Sequence, residues 1–102
     1  MKRKAIRPIS KKLQTKLPEY RRLVDELKIL CMNRSELSGE SPIEPHHIMG
    51  RIGDRLTDVW NIILLTRNEH NEQDGNTYEQ KQELLGYVKI IRLRQGYKKE
   101  GK

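Results

Sequence analysis

The apolar residues of this chain come in a few short blocks, and each block carries a recognisable period. Leu17, Tyr20, Leu23, Val24, Leu27 and Leu30 recur at helical spacing, which predicts one face of a helix over 17–32. Pro18 suits the first turn of such a helix, where a missing N–H costs nothing. Residues 33–42 read as a loop. A short strand is expected at 43–48, and Pro45 within it points to a sheet edge or a bulge. Residues 60–65 form a second apolar run with the length and β-branched content of a strand. Between the two, Gly50 and Gly53 signal a turning loop. Thr66-Arg-Asn-Glu69 is a capping box, so a short helix should start near Arg67 and carry His70. Thr77-Tyr-Glu-Gln80 repeats the signal before a last helix over 77–95, where Leu84, Leu85, Val88 and Ile91 fit helical spacing. Residues 87–93 also fit a strand, and the pattern alone leaves that open.

A hairpin and one short helix bury too little apolar surface to stand alone. The flanking helices must supply the rest of the core. The expected fold is therefore α+β, a single domain over 1–102 with an N-terminal helix, a two-stranded hairpin with a long connection, a short helix and a C-terminal helix. Trp60 and Leu64 are read as core residues rather than as a stacking platform, and Cys31 as packing under the first helix. Asn71 and Asn76 read as cap or loop residues, Asp54 and Asp58 as loop stabilisers, and Tyr97 as part of a frayed end.

Charge is distributed unevenly. The total is +7, yet residues 1–16 hold seven basic side chains (Lys2, Arg3, Lys4, Arg7, Lys11, Lys12, Lys16) and no acidic one. From Arg92 onward there are five basic residues and one acid, so the stretch 17–91, with nine basic and thirteen acidic residues, nets −4. A basic arm at 1–16 and a basic tail at 96–102 on a mildly acidic body form an electrostatic footprint for a polyanion, most commonly nucleic acid. A single cysteine excludes an internal disulfide and fits a reducing cytoplasm. No apolar stretch approaches a membrane-spanning length, so a cytoplasmic protein without a membrane partner is expected.

All three histidines fall within 25 residues: His46, His47 and His70. With Asn61 and Asp74 they form the pattern H-H-x13-N-x8-H-x3-D. Neighbouring residues on a strand point to opposite faces, so His46 and His47 cannot easily serve one metal together. One can ligate while the other faces a substrate. His70 and Asp74, four apart on a helix, share a face. Glu44 lies on the same strand face as His46.

In these residues, and in the segments around them over 42–76, the chain resembles the HNH (His-Asn-His, ββα-metal or His-Me finger) endonucleases. The stretch His46-His-Ile-Met-Gly-Arg51, with Gly53-Asp54 and the apolar run after it, looks most like small phage-encoded HNH proteins. The resemblance implies a ββα-metal motif over 42–76. It also implies one divalent metal ion (Mg²⁺, Mn²⁺, Ni²⁺ or Zn²⁺) held by His46 and His70, with Asp74 where colicin-type members place a further His. By the same resemblance His47 would be the general base, Asn61 would orient it by bridging backbone across the loop, and Glu44 would be an acid fixing a ligating imidazole. Arg51, just past the base, is placed in sequence to contact a phosphate. The paired cysteines that hold a structural zinc in many members are missing here.

That set suits phosphodiester hydrolysis. A neutral histidine takes a proton from water near pH 7, and a metal acts as Lewis acid at the phosphate. The implied function is a metal-dependent endonuclease nicking DNA, with RNA as the alternative substrate, and gripping backbone phosphates with little sequence preference. The implied setting is a phage-infected or lysogenic bacterial cytoplasm, with phage recombination or packaging proteins as partners. A monomer is the simplest expectation, with a dimer left open. Two other readings remain: a nucleic-acid-binding protein of the same fold without the chemistry, and a structural-zinc protein built on His46, His70 and Asp74.

Overall fold

The computed structural model describes residues 11–98, with side chains over 16–98. The fold is α+β. Helix α1 (Lys11–Leu30) leads into a loop, strand β1 (Glu44–His47), a long connection containing the 3-10 turns Gly53–Thr57 and Val59–Asn61, strand β2 (Ile62–Leu65), helix α2 (Arg67–Gln73) and helix α3 (Tyr78–Arg94). No helix among the described residues is long and apolar enough to cross a membrane.

The two strands pair antiparallel, with Glu44 opposite Leu65, His46 opposite Ile63 and His47 opposite Ile62. Every residue of β2 is buried, because helices cover both faces of the ribbon. On one face Ile63 and Leu65 join Ile48, Leu84 and Val88 of α3. On the other, Ile62 and Leu64 meet Leu27 of α1, with Tyr20, Leu23, Ile43, Cys31 and Tyr97 packed around them. A strand covered on both sides reads as a continuous apolar run rather than an alternating one, which explains Ile-Ile-Leu-Leu. Pro45 sits in β1, one of the two edge strands of this ribbon, where a missing ladder N–H is tolerated.

Both capping boxes form. The Thr66 hydroxyl accepts from Glu69 N–H while the Glu69 carboxylate accepts from Thr66 N–H, and Thr77 and Gln80 do the same for α3. Residues 87–93 are helical, because α3 is already nucleated at Thr77 and its 84/88 stripe packs on β2.

Several boundaries differ from expectation. Helix α1 reaches back to Lys11, so Pro18 lies in its interior and not in its first turn. Lysine, leucine and glutamine before it are good helix formers, and the proline withdraws only the one N–H that Gln14 would receive. At the other end α1 stops at Leu30 instead of 32. Met32 and Asn33 adopt φ of 57° and 56°, and Asn33 N–H closes back on Lys28 O at 2.8 Å. Strand β2 begins at Ile62 instead of 60, since Asp58 accepts from Trp60 N–H at 3.0 Å and winds 59–61 into a turn. Asn71 lies within α2, and Asn76 donates to Gln73 in the turn that follows. Tyr97 is not frayed: its ring packs on the Leu27 cluster and its hydroxyl donates to Glu26.

Arg92, counted from sequence among the basic residues of the C-terminal end, is fully buried. Its Nη1 and Nη2 reach the two carboxylate oxygens of Glu36 at 2.7 and 2.8 Å. Its Nε donates to Val59 O at 3.0 Å and its Nη2 to Ile62 O at 2.7 Å. Glu36 in turn accepts from Leu64 N–H at 2.9 Å. A spacing of four along 84, 88 and 92 puts the arginine on the helix's buried face.

Three outcomes are expected. Removing one partner of a buried ion pair costs about 3–5 kcal/mol, so Arg92→Ala should lose most of its folded population in a urea melt followed by circular dichroism. The double variant Glu36→Met with Arg92→Met should not recover wild-type stability, because Leu64 N–H and the Val59 and Ile62 carbonyls stay unpartnered. Full recovery would show that the charge pair alone matters. Burial, and then the bond to Glu26, push the Tyr97 phenol up to about 12. A folded value above the ordinary 10 means this contribution is intact below pH 10 and lost as pH rises through about 12. The urea midpoint should therefore fall less between pH 9.5 and 11.5 in Tyr97→Phe than in the wild type, roughly as linkage requires; equal falls would count against it.

Candidate metal centre

Strand β1 separates the two adjacent histidines. His46 is buried on the face covered by α2 and α3, its ring edge-on to His70 with centroids 4.7 Å apart. His47 points the other way, half-buried against Tyr20 of α1, ring centroids 5.6 Å apart. The capping box at Thr66 fixes where α2 begins, and hence which turn carries His70. Ser35 Oγ also donates to Glu69 Oε1 at 2.5 Å, so the loop after α1 is tied to that same helix start.

His46, His70 and Asp74 form a group that could hold a metal ion, each offering one ligand atom and all three atoms lying within 4.8 Å of one another. Bonds of about 2.0–2.2 Å from a shared ion would bring such donors slightly closer together, a small side-chain adjustment. The donor chemistry fits. Burial, and then the charge of His70, push His46 down to about 4, so at neutral pH its lone pair is free for a cation. The Nδ1 of His70 is hydrogen-bonded to Glu44, leaving Nε2 on the side of Asp74, 3.8 Å from Oδ1. The bond to His70, assisted by Arg67, holds the Glu44 carboxyl below its ordinary range. Arg67 Nε lies 3.0 Å from Glu44 Oε1. Glu44 therefore orients the His70 imidazole, across the hairpin-to-helix junction. Asp74, which caps the C-terminal end of α2, is exposed, so this side of the group opens to solvent.

Asn61 is buried in the turn before β2 rather than at the strand's first residue. Its Oδ1 accepts from Met49 N–H at 2.7 Å, and its Nδ2 donates to Gly50 O at 2.8 Å and to Arg55 O at 3.1 Å. One amide thus ties both ends of the long loop together. Gly50, with φ of 95°, makes the reversal after β1 that this requires. The closed loop presents Leu56 O to His47 Nε2 at 3.1 Å. A carbonyl can only accept, so the neutral ring carries its proton on Nε2 and Nδ1 is left as an acceptor. Burial, and also the nearby Arg51 guanidinium, hold His47 below its usual pKa.

Arg51 is exposed on the loop. Lys16 pairs with Asp54 at 2.8 Å, which ties α1 to the loop and partly neutralises a charge expected to face a polyanion. Lys2, Arg3, Lys4 and Arg7 lie outside the described residues, as do the side chains of Lys11 and Lys12. Trp60 is half-buried on the loop rather than in the core, while Leu64 is fully buried. Sequence reasoning did not single out Tyr20, Arg67 or the Glu36–Arg92 pair around this centre. The helical stripe 84/88/92 was a signal for Arg92, masked because a charged residue is not expected on a buried face.

Calorimetric titration with Zn²⁺ or Ni²⁺ should give one site per chain in the wild type and none in His46→Ala or His70→Ala. Glu44→Gln should bind about 10- to 100-fold more weakly, the scale of losing a carboxylate that orients a ligand. His47→Ala should bind as the wild type does; a loss matching that of His46→Ala would mean the two histidines do not serve separate faces. Comparison of the chain with protein-family models, with curated proteins and with solved structures gave no match, so the reading of this centre rests on its residues and their geometry.

Proposed function

We propose that the chain is a metal-dependent endonuclease of the HNH type, its hairpin and α2 serving as a ββα-metal motif and its substrate being DNA. One observation carries the reading. Two adjacent histidines are given different surroundings, one in a group suited to a cation and the other in a backbone seat that leaves Nδ1 free. A protein that only bound nucleic acid, or only held a structural ion, would have no use for the second seat.

In this reading His46, His70 and Asp74 hold one divalent ion, which supplies Lewis acidity at the scissile phosphate. His47 Nδ1 takes a proton from the attacking water while the water oxygen bonds to phosphorus and the P–O bond to the 3′ oxygen breaks, the departing 3′ oxygen taking a proton from solvent. Such general-base help is worth roughly 100- to 10,000-fold. The depressed pKa keeps His47 unprotonated at neutral pH, ready to accept. Asn61 serves by closing the loop, and Leu56 O by fixing the tautomer. Arg51, exposed beside His47, is positioned to meet a phosphate oxygen. The basic residues of 1–16 add affinity without sequence preference.

Supercoiled plasmid incubated with Mg²⁺, Mn²⁺, Ni²⁺ or Zn²⁺ should be nicked, with EDTA and His47→Ala each abolishing the product. Asn61→Ala should lose activity along with loop order. If about five phosphates are neutralised, the log–log dependence of affinity on salt should have a slope near −4 to −5. Salt-sensitive binding with no cleavage of plasmid, single strands, junctions or RNA under any metal would replace this reading with a non-catalytic nucleic-acid-binding protein.

A further inference from the structure

Between the long loop and α3 lies a groove of about 390 Å³. Met49, Arg55 and Trp60 line it from the loop side, and Gln82, Leu85 and Lys89 from α3. None of His46, His47, His70 or Asp74 lines it, so it is separate from the metal centre. It nevertheless shares a wall with the seat of His47. Asn61 borders the groove, and Arg55, whose carbonyl Asn61 holds, directly precedes Leu56, whose carbonyl meets His47.

Two features point to an occupant. The lining gathers an indole, two apolar side chains, two amides, two cations and the carboxylate of Asp58, which accepts from Trp60 N–H, in a volume within the usual range of small-molecule sites, roughly 300–1,000 Å³. An indole offers a stacking face, an amide can hydrogen-bond a base edge, and cations suit phosphate oxygens. Arg55 gives one Nη to Met49 O at 3.1 Å and has further guanidinium donors to offer. The second feature is Gly86, which also borders the groove. Glycine inside a helix is less stable than alanine, and the fold does not require it here. Its φ is not left-handed, and a Cβ at this position would meet no atom within 4 Å. What the missing side chain preserves is open space at the groove.

We propose that this groove binds one unpaired nucleotide of the nucleic acid, its base stacked on Trp60 and its phosphates against Arg55 and Lys89. The choice of ligand class rests on the nuclease reading. Within a duplex both faces of a base are covered by its neighbours, so only a single-stranded or extruded nucleotide can enter. Continuous duplex is therefore the poorer ligand for this groove, and single-stranded or branched DNA the better one. Because Asn61 and Arg55 belong to both walls, an occupied groove also steadies the loop that seats His47.

Trp60 is the chain's only tryptophan, so its emission reports on this groove. The full chain, in EDTA to exclude cleavage, is titrated with a short single-stranded DNA and with the duplex of the same sequence. The single strand should quench Trp60 saturably and the duplex far less. Gly86→Leu, which fills the groove with a good helix former, should weaken single-strand affinity about tenfold or more, the scale of one lost base stack, with no fall in melting temperature. Lys89→Glu should weaken it as well. Equal quenching by duplex, single-strand binding with unchanged emission, or wild-type affinity in a folded Gly86→Leu would each overturn the proposal. Quenching without cleavage under any metal supports the groove and sinks the nuclease; plasmid nicking without quenching does the reverse.

Discussion

A carboxylate at Glu36 and a guanidinium at Arg92 meet in the interior of a chain with little apolar surface to bury, and the fold converges on them. Glu36 comes from the loop after α1, Arg92 from the last turn of α3, and between them they bind Leu64 N–H, Ile62 O and Val59 O of the strand and turn that separate them. A buried ion pair is no source of stability by itself, since desolvation offsets much of its attraction. Here each charge also completes backbone hydrogen bonds that no other group among the described residues supplies. Ser35, next to Glu36, reaches the capping box of α2, and the Tyr87 hydroxyl donates to Glu36 O at 2.7 Å. Loop, strand and two helices are therefore locked to one register.

That lock bears on the candidate site through Asn61. Arg92 holds the carbonyls of Val59 and Ile62, two residues before Asn61 and one after it. The turn carrying Asn61 is consequently held from the α3 side, while its amide holds Met49, Gly50 and Arg55 on the other. A chain of backbone contacts thus runs from a buried arginine to the carbonyl that faces His47. Each link is short and at least partly buried, so the imidazole's tautomer is set by the fold more than by solvent.

The hairpin does a second job by parity alone. Consecutive residues of β1 face opposite layers, so His46 joins α2 and His47 joins α1 without any further device. A slip of one residue would exchange the two imidazoles and expose the core together. Burial of all four residues of β2 makes that slip costly, which links the chemistry of the site directly to the packing of the strand.

Much of this was legible in the residues. The capping boxes at Thr66 and Thr77, the apolar run of β2, and the shared faces of Glu44 with His46 and of His70 with Asp74 follow from local spacing, because helix and strand periods determine which neighbours share a face; that these two pairs come together was implied only by the family resemblance. What local spacing does not encode is which groups become partners across the chain. Arg92 reads as one more charge of the basic C-terminal end until Glu36, fifty-six residues away, is brought to it. Lys16 reads as a phosphate contact until Asp54 meets it. Pro18 reads as a helix start until the good helix formers before it are found to carry α1 back to Lys11, and Trp60 reads as core until the turn at Asp58 holds it at the edge of a groove. The sequence by itself determined the elements and the faces of the candidate ligands, through short-range geometry. Only the tertiary structure decided which charges are buried, which backbone groups they satisfy and where His47 rests, because those depend on contacts whose energy exists only once distant segments have excluded water between them.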